Sequence, residues 1–193
     1  MHRLLVIVGP TAVGKTALSL QVARDFAGEV ISADSRQIYR GLDIGTDKVL
    51  PHQRQDIPHY MLDVVDPDEV LTLADYQEQT YRLIDDIHQR DKLPMLVGGT
   101  GQWVKAIVEG WGIPRVAPDP TLRATLEEQA AAMGVEALHA KLAAVDPIAA
   151  ERLDPRNVRR VVRALEVYQK TGIPISQHQK KKPPAYRILQ IGL

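Results

Sequence analysis

The run Gly9-Pro10-Thr11-Ala12-Val13-Gly14-Lys15-Thr16 constrains this chain more than any other segment. It satisfies in full the phosphate-loop pattern of a glycine, four variable residues, then glycine, lysine and a hydroxyl residue. Its setting agrees. Leu4 to Val8 is an apolar run of the kind a buried parallel strand needs, and Lys15 to Arg24 repeats apolar Ala17, Leu18, Leu20 and Val22 at helical spacing. A strand, a tight loop and a helix N-terminus in that order form an anion trap, with converging backbone N–H groups and the positive end of the helix dipole. Lys15 adds a full charge, and the Thr16 hydroxyl is placed to reach a magnesium ion. Taken alone, the loop points to a bound nucleotide, most simply ATP. The plain alternative is an ordinary strand-to-helix turn.

The rest of the first 110 residues keeps the alternation. Strands are predicted over Glu29 to Ala33, Tyr60 to Val64 and Pro94 to Val97, with a helix over Thr72 to Arg90 whose Leu73, Tyr76, Leu83 and Ile87 share a face. Thr72 and Asp75 have the spacing of a capping box. Ser35 to Pro58 is polar and rich in turn residues, as expected of a long functional loop with a short helix. Gly98-Gly99-Thr100-Gly101 turns the last of these strands into a helix reaching to about Glu109. After Gly112 the pattern changes. Pro114, Pro118 and Pro120 mark a connection, and three or four helices follow with no strand until Tyr186. Asp119-Pro120 and Asp146-Pro147 each place an N-cap before a proline at the first helical position. The expected fold is α/β: a P-loop NTPase-like parallel sheet core over residues 1–113, a helical insertion domain over 114–185, and a core strand returning over 186–193. That last strand is apolar and no helix follows to cover it, so the chain is expected to be a piece of something longer.

Composition excludes several classes. The 193 residues contain no cysteine, which rules out disulfides, thiolate metal sites and cysteine nucleophiles. No apolar run approaches the ~20 residues that cross a bilayer, and the first strand begins too early to leave room for a signal peptide. A cytoplasmic, membrane-free monomer is expected. The net charge of zero hides an asymmetry. Residues 152–193 carry ten Lys and Arg against only Asp154 and Glu166, so this end is suited to a polyanion. Arg156, Arg159, Arg160 and Arg163 are spaced to line one helix face, with Val158, Val161, Val162 and Leu165 opposite, and Lys180-Lys181-Lys182 extends the positive charge. A solvated basic face is the alternative. Asp34 ends the second strand, where open α/β sheets gather their functional residues, and can serve as a magnesium ligand, directly or through water, or as a general base; the plain alternative is a turn-capping aspartate. The six histidines, His2, His52, His59, His88, His139 and His178, have no metal-ligand spacing and are expected to be structural or surface residues.

The ordered set of motifs resembles the tRNA dimethylallyltransferases, also called tRNA isopentenyltransferases or the IPP transferase family. The set comprises Gly9–Thr16, then Ile31 to Tyr39 with Asp34-Ser35-Arg36-Gln37 at its centre, Gly45-Thr46-Asp47-Lys48, Pro58-His59, Asp63, Asp66-Pro67, Gly98-Gly99-Thr100-Gly101 and Asn157 to Val167. The resemblance covers nearly the whole chain. Two departures are visible: Gln102-Trp103 stands where the family often has Leu-Tyr, and Arg159 where Gln is frequent. Bacterial members continue well beyond the position of Leu193.

The resemblance implies an α/β enzyme that moves a dimethylallyl group from dimethylallyl diphosphate to N6 of an adenine in the tRNA anticodon stem-loop, next to the anticodon. The P-loop (Gly9, Pro10, Thr11, Ala12, Val13, Gly14, Lys15, Thr16) would then hold the diphosphate of the allylic donor instead of ATP. Asp34 would be the base, with Lys15 and Thr16 as its catalytic companions. Thr16 would hold Mg2+, with Asp34 contributing through water. Ser35, Arg36 and Gln37 would grip the target nucleotide. Thr100, Arg123, Arg159, Arg160, Val161, Val162 and Arg163 match positions that touch tRNA. The target base would have to leave its stack to reach Asp34.

Competing readings are an isopentenyltransferase of free adenylates, a small-molecule P-loop kinase with a helical lid, and a non-catalytic tRNA-binding fragment. A GTPase would need an Asn-Lys-x-Asp motif, which is missing. The arginine-rich helix argues for tRNA over the free nucleotide.

Overall fold

The computed structural model describes residues 2–193. Five parallel strands form one sheet in the order β3-β2-β4-β1-β5, where β1 is Arg3–Val8, β2 Gly28–Ser32, β3 His59–Tyr60, β4 Leu93–Gly98 and β5 Arg187–Gly192. Helix α1 (Lys15–Phe26) links β1 to β2, α2 (Leu73–Gln89) leads into β4, and α3 (Gly101–Val108) follows it. Side chains alternate along a strand, so a strand covered on both faces must be apolar throughout. β1 shows this directly. Leu4 and Val6 enter the core that holds Tyr76, Ile84 and Ile87 of α2, while Leu5 and Ile7 enter the opposite one, with Leu20 and Ala23 of α1. Tyr76 is fully buried, stacks on Trp103 with ring centroids 3.9 Å apart, and donates its hydroxyl to the Ser32 carbonyl at 3.0 Å. The Thr72–Asp75 capping box forms as its spacing predicts.

Some predicted elements differ. The strand expected over Tyr60 to Val64 shrinks to His59–Tyr60, because Met61 (φ 59°) and Asp63 (φ 55°) adopt the left-handed conformation that breaks a strand. The predicted short helix in the long loop is a single 3-10 turn, Pro51–Gln53. β5 pairs with β1 along its length, and Leu189 is 62% exposed on it.

The chain forms two compact units. One runs to Trp111 and takes up again at Lys182–Leu193; the other is Gly112–Lys181. The second contains five helices rather than three or four: α4 (Pro120–Met133), α5 (Val135–Val145), α6 (Pro147–Arg152), α7 (Val158–Thr171) and α8 (Ile175–His178). The extra elements are short, and α6 is a six-residue piece that periodicity cannot resolve. Asp119 and Asp146 cap α4 and α6 through the N–H groups of Leu122 and Ala149. α7 supplies much of this unit's core, with Val161, Val162, Ala164, Leu165 and Val167 packed against Leu126, Leu138 and Leu142.

Candidate functional site

The first unit has a cavity of about 310 Å³ beyond the carboxyl ends of β1 and β2, lined among others by Thr11, Lys15, Thr16, Asp34, Gln37 and Asp47. Its floor is the phosphate loop. Gly14 (φ 96°) is the N-cap of α1 and offers no side chain to the helix, so the first-turn N–H groups are left for a ligand. Ala12 is also left-handed (φ 64°), a costly conformation for a residue with a Cβ and one that recurs where backbone is shaped around a ligand. The Lys15 ammonium arches back to the Pro10 carbonyl at 2.5 Å, capping the loop it belongs to.

Asp34 stands two residues past β2. Its Oδ1 accepts the Arg36 N–H at 2.8 Å, an Asx turn that fixes the carboxylate. Thr100 pins the same turn from the other side: its Oγ1 accepts the Ser35 N–H at 3.0 Å and lies 3.3 Å from Ser35 Oγ, while its own N–H donates to the Ala33 carbonyl. That closeness requires Gly98. A Cβ there would lie 2.2 Å from the Ala33 carbonyl oxygen, a contact no side chain tolerates. Gln37 is tied down too, its Nε2 donating to the Thr46 and Asp47 carbonyls, both at 3.1 Å.

His59 also lines the cavity. Burial pushes its pKa down, so it is neutral at physiological pH, and its Nδ1 donates to the Ile57 carbonyl at 2.8 Å. That tautomer leaves Nε2 as an acceptor. From spacing alone His59 was expected among the structural or surface histidines; only the Pro58-His59 motif marked it, because its neighbours in the cavity come from distant segments.

In the helical unit, Arg159 and Arg160 are exposed on the first turn of α7 and make no ion pair among the described residues. The rest of the predicted stripe is not free. Arg156 precedes the Asn157 N-cap, outside the helix, and its Nη2 lies 2.7 Å from Asp154, whose pKa it draws down to about 2. Arg163 reaches Glu166 at 2.5 Å, and Arg123 grips the same carboxylate. The few acids of this region thus do compensate its arginines, contrary to expectation. Val161 and Val162 correct a second expectation: both are buried in the helical core at 0% and 1% exposure, so their side chains are closed to RNA. The Lys180-Lys181-Lys182 run straddles the boundary between the two units.

The characteristic sequence pattern of the IPP transferases matches residues 37–193. The chain belongs to the IPP transferase family. A Roseiflexus castenholzii protein named tRNA dimethylallyltransferase is 60% identical over all 193 residues, which make up 63% of its length. One of the same name from Herpetosiphon aurantiacus is 54% identical over 190 residues, 60% of its length. The chain therefore spans a little under two thirds of these curated relatives. Among solved structures, a eukaryotic dimethylallyltransferase described as acting on tRNA superposes with a TM-score of 0.84 at 32% identity, covering all of this chain and 48% of that one. The Bacillus halodurans tRNA isopentenylpyrophosphate transferase gives 0.62 at 43% identity, covering all of this chain and 60% of that one. The α/β fold with a parallel five-stranded sheet is the fold of this family.

For an IPP transferase, the structure brings Thr11, Lys15, Thr16, Asp34 and Gln37 into one cavity and ties Ser35 to Thr100. Sequence reasoning did not single out two buried charged residues, one in each unit. Lys48 is buried against Asp43 and Asp63, and Glu166 is buried between Arg123 and Arg163. Asp43 and Arg163 lie close by in the chain, but the partners that complete each cluster, Asp63 and Arg123, are 15 and 43 positions away.

Proposed function

We propose that this chain carries the donor site and the base of a tRNA prenyl transfer, from dimethylallyl diphosphate to N6 of an adenine in the anticodon loop. The observation that carries the reading is one cavity holding both a phosphate loop and the Asp34 carboxylate. The names of the relatives support tRNA as the acceptor. The adenine amine is a weak nucleophile because its lone pair is delocalised into the ring. As the N6–C1 bond forms and the C1–O bond to diphosphate breaks, the N6 proton passes to Asp34. The loop N–H groups and Lys15 meet the charge that develops on the leaving diphosphate. For Lys15 this means exchanging the Pro10 carbonyl for a phosphate oxygen. Arg36, exposed beside Asp34, would hold the target nucleotide, while Arg159 and Arg160, exposed and without an ion pair among the described residues, would meet the tRNA backbone.

Magnesium fits this site. No cluster of three or more His, Asp or Glu side chains able to cage a metal occurs among the described residues. Magnesium asks for none, being held by one or two protein oxygens together with substrate phosphates and water. The Thr16 hydroxyl, with Asp34 through water, would hold it, and when bound it would neutralise diphosphate charge. No helix among the described residues is long and apolar enough to cross a membrane. The same reading has the protein act as a monomer in the cytoplasm.

The deciding experiment gives the full-length protein labelled dimethylallyl diphosphate with tRNA, AMP or neither. Label in tRNA is expected. Label in AMP alone would replace tRNA by a free adenylate, and phosphoryl transfer from ATP without prenyl transfer would replace the chemistry altogether.

A further inference from the structure

Lys48 is the only buried lysine or arginine among the described residues, at 4% exposure. Its ammonium protons all find acceptors: the Tyr39 carbonyl and Asp43 Oδ1 at 2.7 Å, and Asp63 Oδ1 at 2.5 Å. Burying an ammonium is costly unless its charge is balanced and each proton is bonded, and both conditions hold here. The three acceptors sit on three segments. Tyr39 follows the Asp34–Gln37 turn, Asp43 opens the turn that closes at Lys48, and Asp63 follows β3.

This knot closes the 42–48 turn, with help from the Lys48 N–H on the Asp43 carbonyl at 3.2 Å and Thr46 Oγ1 on the Leu42 carbonyl at 2.5 Å. The turn in its own right holds Gln37. Both protons of the Gln37 carboxamide are taken by the Thr46 and Asp47 carbonyls, and Gln37 and Asp47 line the cavity together with Asp34.

We infer that Lys48 is a positioning residue for the acceptor nucleotide: its buried ammonium fixes the 42–48 turn, and the turn's carbonyls fix the Gln37 carboxamide beside Asp34. The inference rests on the proposed function, because it gives Gln37 an adenine-bearing substrate to orient. It separates two jobs. The phosphate loop holds the donor without help from Lys48, whereas the acceptor side of the cavity depends on it.

The test is a double-mutant cycle in the full-length protein with Lys48→Met, Gln37→Ala and both together. Donor affinity, kcat, KM for tRNA and Tm are measured for each. Lys48→Met is expected to lower kcat/KM for tRNA by up to about 100-fold, as loss of orientation does, while donor affinity stays within about twofold. In the Gln37→Ala background it is expected to cost little more, because the two residues act as one unit. Should Lys48→Met not fold, Asp43→Asn removes a partly exposed acceptor of the same knot and enters the same cycle. Multiplicative losses, or a drop in donor affinity equal to the drop in kcat/KM, overturn the inference. So does a fall in Tm with kcat/KM unchanged. If the unsubstituted protein transfers no prenyl group to tRNA, the proposed function falls and the inference with it. If it does transfer and the cycle is multiplicative, only the inference falls.

Discussion

Arg123 and Glu166 meet fork to fork, Nε on Oε1 and Nη2 on Oε2, both at 2.8 Å. Glu166 is fully buried, and it also accepts the Asp119 N–H at 2.8 Å and Arg163 Nη1 at 2.5 Å. Burial alone would raise its pKa. The Arg123, Asp119 and Arg163 hydrogen bonds outweigh that and bring it from the ordinary 4.5 down to about 2. A carboxylate with a depressed folded pKa stabilises the fold above its unfolded pKa, and that stability is lost as pH falls through the folded value. The helical unit should therefore lose stability from about pH 5 down through about pH 2, by at most about 3 kcal/mol from this group. Glu166→Gln should flatten that part of the profile, which urea denaturation of both proteins between pH 7 and pH 3 will show. It should also cost about 2–3 kcal/mol at pH 7, less than a wholly buried pair would, because both arginines are partly exposed.

Asp34→Asn keeps the size of the side chain and its acceptor for the Arg36 N–H but removes the base. Transfer to tRNA should fall by roughly 10²–10⁴-fold, the usual worth of general-base catalysis. Donor affinity, read by equilibrium dialysis, should hold. A variant that keeps more than a tenth of the activity would remove Asp34 from the chemistry.

Arg160→Ala and Arg163→Ala should part company. The Arg160 side chain is exposed and makes no ion pair among the described residues, so its loss should leave stability within about 0.5 kcal/mol. If it meets a phosphate, the slope of log K against log salt for tRNA should fall by about one. Arg163→Ala strands part of the charge on Glu166 and should lower Tm as well. Equal effects on Tm from both substitutions would contradict this division.

Gly98→Ala sets a methyl group 2.2 Å from the carbonyl oxygen of Ala33, the residue after β2. Backbone must move, and it is the backbone that leads into Asp34. Destabilisation of about 1–3 kcal/mol or more is expected, seen as a lower urea midpoint, together with weaker transfer. Gly101→Ala, whose Cβ would meet nothing within 4 Å, serves as the mild control.

Much of the fold was readable because the signals were local. An apolar five-residue run before a glycine loop can hardly be anything but a strand entering a turn, and Thr72 three residues before Asp75 caps a helix by spacing alone. The cavity followed from the same logic, since strand ends in a parallel sheet point their residues to one edge. What escaped was tertiary. Left-handed Met61 and Asp63 ended β3 early; Asp tolerates that conformation, but Met does not announce it. Helical spacing put Arg156 in the arginine stripe, but the helix starts two residues after it. Lys48 and Glu166 both stood within the family motifs, but their burial was not legible, because Asp63 and Arg123 come from other segments and only the folded chain shows that each is a hub.

The pairing of β1 with β5 has a consequence for how the molecule is made. Leu193 donates its N–H to the Val8 carbonyl at 2.9 Å, immediately ahead of the phosphate loop. β1 is thus completed along one edge by β5, with all of Gly112–Lys181 produced in between. On a ribosome the loop emerges ahead of the five-helix segment, yet its supporting strand gains that neighbour only after that segment has been translated. Such long-range closure is slow, and during the wait β1 presents an open edge. The lag between loop and neighbour is a window in which that edge is open to wrong pairing.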